Sequence, residues 1–124
     1  MKKLNFYTFY ILPIILYCSL IFYYSSQPVI SGPLGTQLIN DKLKHATAYL
    51  ILAGLTFRAV QQTNYKKYSY LFAIIFATLY GILDEYRQSF VPGRIMSIYD
   101  MLANFIGSSL ILIRLKKVDK RAQR

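Results

Sequence analysis

The sequence predicts an all-α, polytopic membrane protein with four transmembrane helices in a bundle, and three observations carry that prediction. Hydrophobic residues make up 55% of the 124 positions, a high share for a soluble chain. Neither the stretch from Leu4 to Asn40 nor that from Ser69 to Leu83 contains a charge. The net charge of +10 gathers at the ends of the apolar runs, as in polytopic membrane proteins. A soluble chain this basic would suggest nucleic acid. This distribution argues against that and for attraction to anionic lipid. The length suits a single domain, residues 1–124.

The first span is expected from about Phe6 to Tyr24, with a kink at Pro13 that a membrane helix tolerates. Its apolar core is too long for a cleaved signal, and no small-residue cleavage pattern follows. Cys18 is the single cysteine, so no intrachain disulfide forms, and a packed or membrane-facing thiol is expected. Ser25-Ser26-Gln27-Pro28 and Ser31-Gly32-Pro33 then read as turn residues. Further spans are expected at about Asp41 to Val60, Tyr68 to Arg87 and Ser97 to Leu115. A helix needs about 20 residues to cross about 30 Å of hydrocarbon. The uncharged cores of the last three fall short, so each must draw in polar residues at one end.

Charge decides which end. With the N-terminus inside, Lys42, Lys44, Arg87 and Arg94 fall outside, and the other eleven of the 15 basic residues fall inside. Asp119 is the one acid on the inner side. The positive-inside rule therefore predicts both termini in the cytoplasm.

The unusual polar residues then lie at the outer ends of three helices. Asp41, His45 and Tyr49 share one face at i, i+4, i+8. Asp84 and Gln88 share another, with Glu85 beside them. Asp100 and Asn104 begin the fourth span at the same spacing, followed by Gly107. Ionisable groups at that depth face a bundle interior or a wet cavity and pair with one another. One shared pocket opening outward is the expectation, with Arg94 returning toward the acids after a Pro92-Gly93 turn. Plainer readings compete. Ser97-Ile98-Tyr99-Asp100 resembles a capping box. Arg87 reads first as an interface anchor, and Gly54, Gly81 and Gly107 read as close helix contacts.

Together, Asp41-Lys42-x-x-His45-x-x-x-Tyr49, Asp84-Glu85-x-x-Gln88-x-Phe90-x-Pro92-Gly93-Arg94 and Ser97-x-x-Asp100-x-x-x-Asn104-x-x-Gly107 resemble the VanZ-like membrane proteins. Ser25-Ser26-Gln27-Pro28 also fits. The resemblance runs from about residue 20 to 110. It implies a four-helix protein of the bacterial cytoplasmic membrane with a cell-envelope connection. That family is associated with resistance to teicoplanin-type glycopeptides and lipoglycopeptides. The resemblance supplies no established catalytic residues.

Three functions stay open. An enzyme acting on an envelope lipid or lipid-linked glycan would use His45, Glu85, Asp84 and Asp100, with His45 or Glu85 as acid or base. Asp41, Tyr49, Gln88, Arg94 and Asn104 would then bind, Arg94 through its planar fork. A binding protein would hold an envelope lipid, a lipid-linked precursor or a lipoglycopeptide in the same pocket. A structural cluster would only lock the helices. No metal-ligand spacing is recognised, so no metal is assigned and no cofactor predicted. Carboxylates from Asp84, Glu85 and Asp100 with His45 would suit Mg²⁺ or Ca²⁺ better than zinc.

Overall fold

Proline has no N–H to donate, and its ring crowds the carbonyl four residues before it. The first helix, α1 (Lys3–Ser25), relieves this ahead of Pro13 by a π-helical turn over Tyr7–Ile11. The structure, a computed structural model, describes residues 3–27, 34–113 and 117, and only the backbone of 34–40. Three more helices follow: α2 (Leu34–Val60), α3 (Ser69–Gln88) and α4 (Ile98–Ser109). A 3₁₀ turn, Lys66–Tyr68, leads into α3. The protein is all-α with four helices. Pro28 and the Ser31-Gly32-Pro33 turn lie outside the described residues.

Two boundaries differ from expectation. Helix α2 begins at Leu34 rather than near Asp41, because nothing in Leu34-Gly-Thr-Gln-Leu-Ile-Asn40 stops a helix. Asp41 therefore sits about 10 Å along it, at 1.5 Å per residue. Regular helix in α4 is broken after Ser109 and resumes at Leu112–Ile113, while the expected end at Leu115 lies outside the described residues. Ser108 and Ser109 bond back to the carbonyls of Asn104 and Phe105, which weakens helix propagation, and a turn follows at Leu110–Ile111.

Helices α2, α3 and α4 contact one another extensively, whereas α1 touches mainly α2. The C-terminal ends of α1 and α3 meet the N-terminal parts of α2 and α4 at one end of the bundle. At the other end, Arg58 stacks over the Tyr10 ring, 4.7 Å from its centroid, and Gln61 bonds Ser69. Small residues fill much of the interior: Ala53, Ala73, Ala77, Gly81 and Ser108 are buried beside Tyr49, Leu52 and Phe57. Large apolar side chains are exposed on all four helices, among them Leu16, Ile51, Leu83 and Ile106. This inverts the water-soluble pattern. By length and composition, one helix among the described residues, Lys3–Ser25, qualifies alone as a membrane span. The others carry the polar residues that the short apolar cores required. Cys18 is half-buried against the core.

The tightest joint is Gly107 against Ala46. A Cβ on Gly107 would lie 2.1 Å from the Ala46 carbonyl oxygen and 2.6 Å from its Cα. Gly81 is also hemmed in, with its nearest neighbour, Asn104 Nδ2, 2.9 Å from a built Cβ. Gly54 is not a close contact, since its nearest neighbour, Ile111 Cδ1, would be 3.9 Å away. Gly107→Ala should therefore force α2 and α4 apart and destabilise the fold by about 1–3 kcal/mol. Gly54→Ala should stay within about 0.5 kcal/mol of the parent. Thermal unfolding in one detergent compares the two, and equal midpoints would contradict the contact.

Candidate functional site

The end of α3 turns three polar side chains inward. Asp84, Glu85 and Gln88 are all buried. Asp84 sits at i, i+3 from Arg87 and i, i+4 from Gln88, the spacings at which helical neighbours meet. Its Oδ1 accepts from Arg87 Nη2 at 2.8 Å and from Ser25 Oγ at 2.7 Å, and its Oδ2 accepts from Gln88 at 3.3 Å. Arg87 also donates to Ser25 and Ser26 and lies 4.1 Å over the Phe22 ring. The polar end of α1 thus clasps the end of α3. Arg87 is more than the interface anchor expected, because α1 delivers acceptors and a ring face to it.

Glu85 does something the sequence did not suggest. A capping box would return the acid at the third helical position to the N–H of the capping serine. Ser97 does cap α4, accepting from the Asp100 N–H at 3.4 Å. The Ser97 N–H, however, donates to Glu85 Oε1 at 2.8 Å. Asp100 is thereby released to pair with Lys42. The preceding turn is type II, with the Arg94 N–H donating to Val91 oxygen at 3.1 Å and Gly93 at φ 79°. Arg94 reaches the cavity that Asp41 and Asp84 also line, but it forms no ion pair with an acid among the described residues. Its Nε donates to the Gln27 carbonyl at 2.9 Å, a free acceptor just beyond α1.

His45 links α2 and α4. Its Nδ1 lies 2.8 Å from Asn104 Oδ1. A carbonyl oxygen only accepts, so with the Asn104 amide in this orientation Nδ1 is the donor. Nε2 then faces Asp41 Oδ2 and Asp100 Oδ2, each 3.9 Å away, too far for a hydrogen bond. Asp41, His45 and Asp100 offer three ligand atoms within 4.8 Å of one another. Asp84 is held on the α1 side by Ser25 and Arg87, so the suggested ligand set containing it does not assemble.

A cavity of about 210 Å³ opens beside these groups. Its polar lining includes Asp41, Lys44, His45, Tyr49, Asp84, Gln88 and Arg94, and its apolar wall includes Leu20 and Ile21 of α1. The Tyr49 hydroxyl is buried without a hydrogen-bond partner, as are Glu85 Oε2 and Asn104 Nδ2. Among the described residues, Lys44 and Arg94 face no carboxylate at ion-pair distance.

Thus His45, Asp41, Asp100 and Asn104 come together, Asp84 and Gln88 join the cavity from α3, and Glu85 braces the start of α4. Lys42, Lys44, Ser25 and Ser26 were missed. For the serines the signal was present, as a polar cluster closing an otherwise uncharged helix. For Lys42 it was faint, because nothing local distinguishes a lysine that reaches another helix.

The family model described as VanZ-LLP1: VanZ/LLP1 matches residues 8–116. An uncharacterized protein of the fission yeast Schizosaccharomyces pombe is 31% identical over 75 residues, covering 60% of this chain and 46% of that protein. The chain therefore spans about half the length of this curated relative, which is fungal and not bacterial. No solved structure matches.

Removing the half-buried Arg87 leaves the buried Asp84 carboxylate uncompensated. Arg87→Gln should therefore destabilise the protein by about 2–3 kcal/mol. Adding Asp84→Asn should restore part of that loss. A double-mutant cycle on thermal unfolding measures the coupling, and simple additivity would contradict it.

Proposed function

Because the chain belongs to the VanZ/LLP1 family, we propose that it is a multi-pass membrane protein that binds an anionic envelope-lipid headgroup in its polar cavity. The observation that carries this reading is a pair of cations left unpaired in the cavity. Lys42 offsets Asp100 and Arg87 offsets Asp84. Asp41 lies 3.8 Å from Lys42, whereas Lys44 and Arg94 line the cavity with no carboxylate at ion-pair distance among the described residues. Two such cations, one a planar guanidinium, suit a phosphate or carboxylate. Leu20 and Ile21 offer the apolar part of an amphiphile a surface along α1.

The exposed apolar side chains of all four helices support insertion in a bilayer. Helices α2 and α3, with 27 and 20 residues, have the length to span about 30 Å. Regular helix in α4 covers 12 residues, so a fourth crossing needs the helical residues beyond its turn. The basic residues at the opposite end point the cavity away from the cytoplasm. At about 210 Å³ the cavity is smaller than the roughly 300–1,000 Å³ that encloses a drug-sized ligand. A headgroup fits that size better than a whole lipid-linked glycan. A fungal relative also favours a lipid class common to bacteria and fungi.

Chemistry would fall to the centre around His45, whose Nε2 has no hydrogen-bonding partner. Binding without chemistry draws on the prior engagement of Asp84, Glu85 and Asp100. Sequestration of an envelope precursor or lipoglycopeptide would then be the route by which such a protein could act in the resistance associated with that family. His45→Gln separates the two, since an enzyme would lose turnover and keep its lipid, whereas a sequestering protein would keep its cellular effect.

Binding of short-chain phosphatidylglycerol and phosphatidylcholine to detergent-purified protein tests the headgroup reading. The anionic lipid should bind more tightly, and the Lys44→Gln, Arg94→Gln double variant should lose about tenfold of that affinity, equivalent to about 1.4 kcal/mol. Equal affinity for both lipids, or an unaffected double variant, would sink it.

A further inference from the structure

We infer that Asp41, His45 and Asp100 form a binding site for one divalent transition ion of the zinc or manganese class. The site deepens the headgroup reading by naming a cofactor for the same cavity, but its geometry stands without lipid. His45 is oriented as a metal-ligating histidine is. One ring nitrogen is engaged by an outer partner, here Asn104 Oδ1 at 2.8 Å, which leaves the other nitrogen's lone pair for an ion. That nitrogen, Nε2, faces one oxygen from each of two carboxylates, both at 3.9 Å. Ligands bound at about 2.0–2.2 Å around a tetrahedral ion lie about 3.4 Å apart. Small side-chain adjustments would close the difference, and Asp41, with its side chain 48% exposed, has room to make them.

Lys42 completes the arrangement. Its ammonium pairs with Asp100 through Oδ1, whereas Oδ2 is the oxygen facing His45. The lysine can therefore hold Asp100 without occupying the oxygen that faces His45, as outer-shell donors hold metal ligands, but its ammonium also lies 3.8 Å from Asp41 Oδ2, so a bound ion would turn it toward Asp100 alone.

A second, independent observation points to a missing positive charge. Glu85 is fully buried and its Oε2 has no hydrogen-bond partner. Its other oxygen accepts from the Ser97 N–H, three residues before Asp100. Asp41 and Asp100 share one lysine, an excess of one negative charge with His45 neutral. Ionisable groups at depth are tolerated when compensated, and a divalent ion compensates that charge. Two carboxylate oxygens and one imidazole nitrogen suit zinc or manganese better than calcium, which takes six to eight oxygens. Three protein ligands leave a position open to water or a headgroup oxygen, as in catalytic rather than structural zinc sites.

The test uses Mn²⁺ alone as the probe on tag-free, chelator-stripped protein in detergent. Electron paramagnetic resonance should show one Mn²⁺ per chain, displaced by Zn²⁺. Electron spin-echo modulation should show coupling to a histidine nitrogen, which can only be His45 because the chain has one histidine. His45→Gln should abolish that coupling. Asp41→Asn, at a half-exposed position, should weaken Mn²⁺ binding about tenfold or more while thermal unfolding of the metal-free protein stays unchanged. Absence of Mn²⁺ binding, parental affinity in both variants, or nitrogen coupling that survives His45→Gln would overturn the site. Phosphatidylglycerol binding measured in chelator separates the two readings. Lipid retained without any Mn²⁺ binding would overturn the metal site and leave the headgroup reading standing. Mn²⁺ bound without lipid selectivity would do the reverse.

Discussion

The contact of Gly107 with Ala46 sets the spacing from which the polar end of the bundle follows. With no side chain between them, the backbones of α2 and α4 meet at near-minimal separation. Ala46 is the neighbour of His45, and Asn104 is one turn before Gly107. The same close approach therefore delivers the Asn104 amide to the His45 ring. Asp100, a further turn along α4, arrives opposite Asp41 and Lys42. A wider crossing would leave these groups facing space, each with its cost of burial and no partner.

Given that crossing, the interior works by shared rather than private partners. Asp84 is held from α1 and from its own helix, Asp100 from α2, and Ser97 from α3. Such cross-bracing is how helices associate where the surroundings are as apolar as their own outer faces. It also divides the carboxylates by duty. Asp84 is offset by Arg87, Glu85 secures a helix start, and Asp41 and Asp100 are left beside the one imidazole.

Much of the arrangement was legible because helical periodicity is strict. Asp41 with His45 and Tyr49, Asp84 with Gln88, and Asp100 with Asn104 could each be put on one face by counting residues. Short apolar cores showed that those faces belong to one level. What periodicity cannot reveal is which helix a long side chain will reach. Lys42 and Arg87 carry flexible or forked cations whose partners depend on the crossing of other helices. Glu85 looked like a pocket acid because its own helix gives no sign that Ser97 will present an N–H to it. The early start of α2 was missed for a different reason. The expected span begins at Asp41, and the uncharged, helix-compatible segment between Pro33 and Asp41 was left outside it.

The bond from Glu85 to Ser97 also bears on how the chain is put together. Its two residues are 12 apart in sequence, whereas His45 and Asn104 are 59 apart. The shorter loop costs less entropy to close. Helix α4 is brief, and part of what marks its beginning is supplied by the helix before it. The last two helices therefore constitute a hairpin with its own internal latch, whose closure does not wait on a partner from α1 or α2.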